Sequence, residues 1–118
     1  MNHLGGLYRD GHGVPQDYTE ARRWYERAAA LGQPMATNSL GVLYEYGRGV
    51  PQDYSEARRW YEKAAALGNS TAMNNLGLLY NHGRGVPQDV AEARRWYGKA
   101  AALGNAGAKD ALAKLPRL

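Results

Sequence analysis

The sequence predicts an all-α protein built as an α/α solenoid, a stack of helical hairpins closed by a short C-terminal capping helix. Three observations lead there. A long phrase, GVPQD followed by EARRWY, starts at Gly13, Gly49 and Gly85, an offset of 36 residues each time. The same period carries Trp24, Trp60 and Trp96 and the Leu-Gly pairs at Leu4, Leu40 and Leu76. Within each copy the apolar residues recur at helical spacing, and the alternation of a half-buried strand is missing. A fixed period of this length marks an array of supersecondary units, each stable only beside its neighbours.

The unit from Gln33 to Gly68 shows how each element arises. In MATNSLGVLYEYG, Ala36, Leu40, Leu43 and Tyr44 fall on one side of a first helix, helix A, with Gly41 among them. The segment GRGVPQD ends it, because its glycines tolerate positive φ and Pro51 forces Val50 toward an extended conformation. Asp53 followed by Glu56 predicts a capping box at the start of helix B. There Ala57, Trp60, Tyr61, Ala64 and Leu67 form an apolar stripe, and Gly68 is the expected C′ residue. The same marks recur as Asp17, Glu20 and Gly32, and as Asp89, Glu92 and Gly104. Ala36, Gly41, Ala57 and Ala64 let A and B approach closely, with Trp60 and Tyr61 expected to fill the space between neighbouring units.

The chain therefore divides into units at about 1–32, 33–68 and 69–104 and a partial capping unit at 105–118, read together as one domain. The first unit begins at the register of Thr37, and the last lacks the Leu-Gly pair, with Ala113 for glycine and Pro116 for tyrosine. Gly98 stands inside the third helix B, where the second unit has Glu62, and should weaken it by about 1 kcal/mol against alanine.

The stretch LGVLYEYGRGVPQDYSEARRWYEKAAALGN and its copies resemble the Sel-one-like repeat, a relative of the tetratricopeptide repeat, over nearly the whole chain. The resemblance implies a right-handed superhelix with helix A lining a concave surface. It also implies an adaptor or scaffold role in protein binding, common in bacteria and found in eukaryotic quality-control and signalling complexes. Some cysteine-rich bacterial members are credited with β-lactam binding or hydrolysis. This chain has no cysteine, so nothing of that subgroup carries over.

Because the repeated words have a structural explanation, specificity is sought where the copies of helix A differ. Opposite the inward face lie Asn38, Val42, Glu45 and Tyr46 in one unit and Asn74, Leu78, Asn81 and His82 in the next. Only the asparagine persists, as Asn2, Asn38 and Asn74. Its amide both donates and accepts, so it can hold a peptide backbone without reading side chains. In the related tetratricopeptide repeats a helix-A asparagine at this place often does so, and by resemblance these three would do the same. The other reading of the ladder is structural, an amide bonded to a neighbouring helix as part of the repeat itself.

The remaining function classes find little support. The net charge is +4, and the arginine pairs Arg22-Arg23, Arg58-Arg59 and Arg94-Arg95 each follow a glutamate placed for an intrahelical ion pair. Their neighbouring aromatics belong to the apolar stripe, which argues against a nucleic-acid groove. His3, His12 and His82 occupy unrelated repeat positions without metal-ligand spacing, and no nucleophile motif accompanies a serine. The GxG turns follow helices and lack a phosphate-loop lysine. No catalysis, metal or cofactor is expected. The segment MNHLGGLYRDG has neither the basic nor the apolar region of a signal peptide, and no apolar run approaches a membrane span, so a soluble, by default cytoplasmic, chain is expected.

The expectation is a non-catalytic module that binds a protein or peptide partner on the concave helix-A surface. A structural spacer or designed consensus scaffold without a ligand is the second reading, and a hydrolase within a larger protein the third. End-to-end self-association through Leu4, Leu7 and Tyr8 is left open.

Overall fold

The computed structural model describes residues 18–115. Asn2, Leu4, Leu7, Tyr8, the Asp17 cap and Pro116 lie outside that range. The described residues form α1 (Tyr18–Ala30), α2 (Pro34–Tyr46), α3 (Tyr54–Ala66), α4 (Ser70–His82), α5 (Val90–Ala102) and α6 (Ala106–Lys114). Successive helices pack antiparallel, α2 on α3 and α4 on α5 within hairpins, and α1 on α2, α3 on α4 and α5 on α6 between them. The result is an α/α solenoid of principal extents 47 × 26 × 24 Å.

Punctuation in the sequence becomes hydrogen bonds in the fold. Asp53 and Asp89 accept from the backbone N–H of Glu56 and Glu92, both at 3.0 Å. The capping boxes are half-formed: Asp53 and Asp89 give their own N–H groups to the Tyr44 and Tyr80 carbonyls, tying each loop back to helix A. Glu56 and Glu92 turn instead to Arg59 and Arg95. The loop glycines do more than end a helix. At Gly85, φ is +71° and an added Cβ would fall 2.5 Å from the Cβ of Tyr54. Each loop thus presses bare backbone onto the first turn of the preceding helix B, as Gly49 also does on Tyr18.

Between units the chain has no linker. The Asn69 N–H bonds to the Ala64 carbonyl and the Gly68 N–H to that of Ala65, which closes α3 in a Schellman turn. The side chain of the same Asn69 accepts from the Ala72 N–H at 2.8 Å and starts α4. Asn105 does both jobs at the next joint, with Ala100 behind it and Ala108 ahead.

The core consists of small residues around tyrosines and leucines. Ala36, Leu40, Leu43, Ala57, Tyr61 and Ala64 are fully buried in the second unit, and Ala72, Leu76, Leu79, Ala93, Tyr97 and Ala100 in the third. The expected apolar stripe of helix B is narrower than predicted. Leu67 is 45% exposed, as are its counterparts Leu31 and Leu103 to a greater degree. Each sits where the helix turns out into the Schellman loop, so the 3.6-residue period no longer points it inward. Trp60 packs from α3 against the cluster that holds Tyr25 and Leu40, and Tyr61 lies against Gly41 of its own hairpin while sharing a core cluster with Ala72 and Leu76 of the next unit.

Gly98 in α5 has no atom within 4 Å of an added Cβ. Gly98→Ala is therefore expected to stabilise the protein by about 0.5–1 kcal/mol, the usual helix gain, measured as a raised urea midpoint at unchanged m-value.

Candidate functional site

Helices α2, α4 and α6 are consecutive A-type helices, and the predicted site residues on the first two end in different environments. Glu45 is 7% exposed and belongs to the interior. The Tyr61 hydroxyl donates to its Oε1 at 2.6 Å, and Arg84 from the next unit's loop pairs with it at 3.5 Å. Burial pushes the Tyr61 hydroxyl far above the ordinary tyrosine range, and the adjacent carboxylate adds to the effect. The group therefore stays protonated and donates. Glu45 is a structural lock between units, with no oxygen of its carboxylate turned over to a free surface role.

Asn38 is also engaged: its Oδ1 accepts from Asn75 Nδ2 of the next A helix at 3.0 Å. Sequence reading missed Asn75, because the second unit has Ser39 at that position and no repeat signal marks it. Val42 is partly buried against the core between units. Tyr46, at the end of α2, is exposed with the Arg48 guanidinium over its ring at 5.1 Å, and His82, at the end of α4, is exposed as well.

Asn74, Leu78 and Asn81 do come together. They line one wall of an open cleft of about 310 Å³ between α4 and α6, with Tyr97 of α5 at its floor and Asp110, Ala111 and Lys114 on the far side. Asp110 and Lys114 pair with each other at 2.9 Å. Asn74 Oδ1 is buried with no hydrogen-bond partner among the described residues, and the buried Tyr97 hydroxyl has the Asn81 amide beside it. Burial raises the affinity of the Tyr97 hydroxyl for its proton, with the neighbouring Asn81 amide acting in the opposite sense. Such a surface offers neutral hydrogen-bonding groups and apolar walls, with one charged pair, Asp110 and Lys114, on its far side. Among the described residues no group of three or more His, Asp or Glu side chains is placed to hold a metal, and no helix is long and apolar enough to cross a membrane.

On the other face, Arg23, Arg59 and Arg95 pair with Glu20, Glu56 and Glu92 at 3.7, 3.6 and 3.0 Å. Arg27, Lys63 and Lys99 lie over the rings of Trp24, Trp60 and Trp96. The cations of helix B are largely spoken for within their own helix.

The model of the Sel1 repeat matches this chain three times, over residues 1–33, 34–69 and 70–105. The chain belongs to the Sel1 repeat family. Sel1 repeats are generally protein–protein interaction modules, and proteins built from them are generally non-catalytic scaffolds. Solved Sel1-type structures superpose well on this one. A Sel1 repeat protein from Oxalobacter formigenes is 38% identical with a TM-score of 0.87, covering 94% of this chain and 45% of its own. The protective antigen c5321 of uropathogenic Escherichia coli, with the same Sel1-like fold, is 42% identical with a TM-score of 0.87, over 94% of this chain and 24% of its own. Cysteine-rich protein B of Helicobacter pylori is 25% identical with a TM-score of 0.79, over 94% and 84%. This chain thus spans less than half the length of the first two. A search of curated proteins found no match.

Proposed function

We propose that this Sel1 repeat chain is a non-catalytic interaction module that holds an extended segment of a partner protein along the concave face of α2, α4 and α6. One observation carries the reading. The half-buried Asn74, Leu78 and Asn81, at positions where the copies of helix A vary apart from the asparagine, converge on one open cleft, where Asn74 Oδ1 has no partner among the described residues. Apolar walls supply affinity by burial, and the amides supply direction.

The test is capture of partners from cell extract by the wild type and by an Asn38→Ala/Asn74→Ala double variant, followed by titration with the purified partner. Circular dichroism must first show equal helicity, since Asn38→Ala also deprives Asn75 of its acceptor. A partner held by the wild type and at least about ten-fold weaker with the variant, the loss of two good hydrogen bonds, supports the groove. Equal affinity rejects it and turns attention to the helix-B face. The Asn75–Asn38 bond itself favours the spacer as the second reading, because it gives one member of the asparagine ladder a purely internal use. A spacer captures nothing with either protein.

A further inference from the structure

The leucines that end the B-type helices make up a surface of their own. Among the described residues the exposed large apolar side chains are Leu31, Met35, Tyr46, Leu67 and Leu103. All but Tyr46 stand at or beside a joint between one hairpin and the next, α1–α2, α3–α4 or α5–α6. Successive helices are antiparallel, so these joints lie at the same end of the helices and the side chains form one row along the stack. Leu31, Met35 and Leu103 are each more than half exposed. The glycines beside the leucines, Gly32, Gly68 and Gly104, would meet no atom within 4 Å if given a Cβ, so the tips stand clear of the protein. Further hairpins would stack on the ends of the array and leave this edge open. No charged residue lies between Leu31 and Met35, Leu67 and Thr71, or Leu103 and Gly107. One turn back from each leucine comes a cation, Arg27, Lys63 or Lys99, held over Trp24, Trp60 or Trp96 at 5.4, 5.2 and 4.6 Å. The rings position these cations without cancelling their charge, and none has a carboxylate at ion-pair distance among the described residues.

We propose that this edge docks on the anionic face of a lipid bilayer, with the leucine tips in the headgroup layer and the three cations against lipid phosphates. This surface is independent of the groove. Apolar tips backed by cations and tryptophans match an interface that is apolar inside and negatively charged outside. Contact of this kind is peripheral and needs no spanning helix. The Asn69 and Asn105 joints hold the tips in one frame, so individually weak contacts act together. A second copy of the chain is a poorer occupant, since pairing two such edges would set like charges against each other. An acidic protein segment would satisfy the cations and leave the separate leucine tips uncovered.

The probe is a vesicle of equal parts phosphatidylcholine and phosphatidylserine, titrated against the chain and read by co-sedimentation and by tryptophan fluorescence. Saturable binding with a blue shift is expected. Vesicles of phosphatidylcholine alone should bind at least about ten-fold more weakly, and added salt should weaken binding to the mixed vesicles. Leu31→Gln/Leu67→Gln/Leu103→Gln should also lose at least about ten-fold, at an unchanged urea midpoint because the tips are exposed in the free protein. Arg27→Gln/Lys63→Gln/Lys99→Gln should bind the mixed vesicles no better than the wild type binds the neutral ones. Absence of binding to the mixed vesicles, or equal binding by the leucine variant, overturns the proposal. Lipid-free dimerisation that the leucine variant loses, with no binding to vesicles, overturns it in favour of a second copy. Binding of poly-glutamate equally by wild type and leucine variant, with no binding to vesicles, overturns it in favour of an acidic protein segment.

Discussion

Gly41→Ala is expected to destabilise the protein by about 1–3 kcal/mol, although alanine is ordinarily the better helix residue by about 1 kcal/mol. The added Cβ would stand 2.5 Å from both Cδ1 and Cε1 of Tyr61. That ring cannot retreat: it is fully buried, and its hydroxyl is held by Glu45 at 2.6 Å. The helices must separate, which loosens the small-residue contact along the whole hairpin. Gly77→Ala meets the same clash with Tyr97, at 2.4 Å from Cε1. Tyr97 faces Asn81 in place of the carboxylate that holds Tyr61, so its ring can yield further and the cost should be smaller. Urea denaturation of the two variants beside Gly98→Ala separates sterics from propensity. If all three glycines respond alike, close helix approach is not what Gly41 and Gly77 are for.

Glu45→Ala should cost about 2–4 kcal/mol. It strands the buried Tyr61 hydroxyl and removes the counter-charge from Arg84. Truncating one partner of a buried, hydrogen-bonded ionic group is among the few changes with effects this large. Glu45→Gln keeps an acceptor of the same length and loses only the charge, so it should fall clearly below the alanine variant. Arg84 is 43% exposed, and its share of the ion pair is weakened by solvent. Because Arg84 belongs to the α4–α5 loop, native-state hydrogen exchange should also show faster exchange around that loop in Glu45→Ala. A loss below about 0.5 kcal/mol would mean that the contact is incidental.

Much of the fold could be read from the sequence because it is written locally. Pro51, Asp53 and Gly68 act on their own neighbours, and the period repeats the message. What could not be read depends on contacts that cross from one unit to the next. Glu45 looked like a variable surface residue, since helical spacing cannot show that Arg84 folds back over it. Leu67 continued the helical period on paper, yet the Schellman turn that begins there swings it outward. Tyr61 and Tyr97 stand in the same phrase and differ only in what faces them, Glu45 or Asn81. The cleft residues Asn74, Leu78 and Asn81 were recoverable by asking where the copies of helix A diverge. Tyr97 was hidden because it is part of what the copies share.

The asparagine joints carry a mechanical consequence. Asn69 and Asn105 each end one helix and begin the next, so no residue at these joints is left to serve as a swivel. A pull along the stack cannot be absorbed by paying out slack. It must be met by small tilts at every contact between neighbouring layers, so the array responds as a spring whose stiffness is set by the Trp, Tyr and Ala packing. An object gripped by two adjacent A helices then fixes the pitch of the coil between them, and changing the pitch by load would loosen the grip.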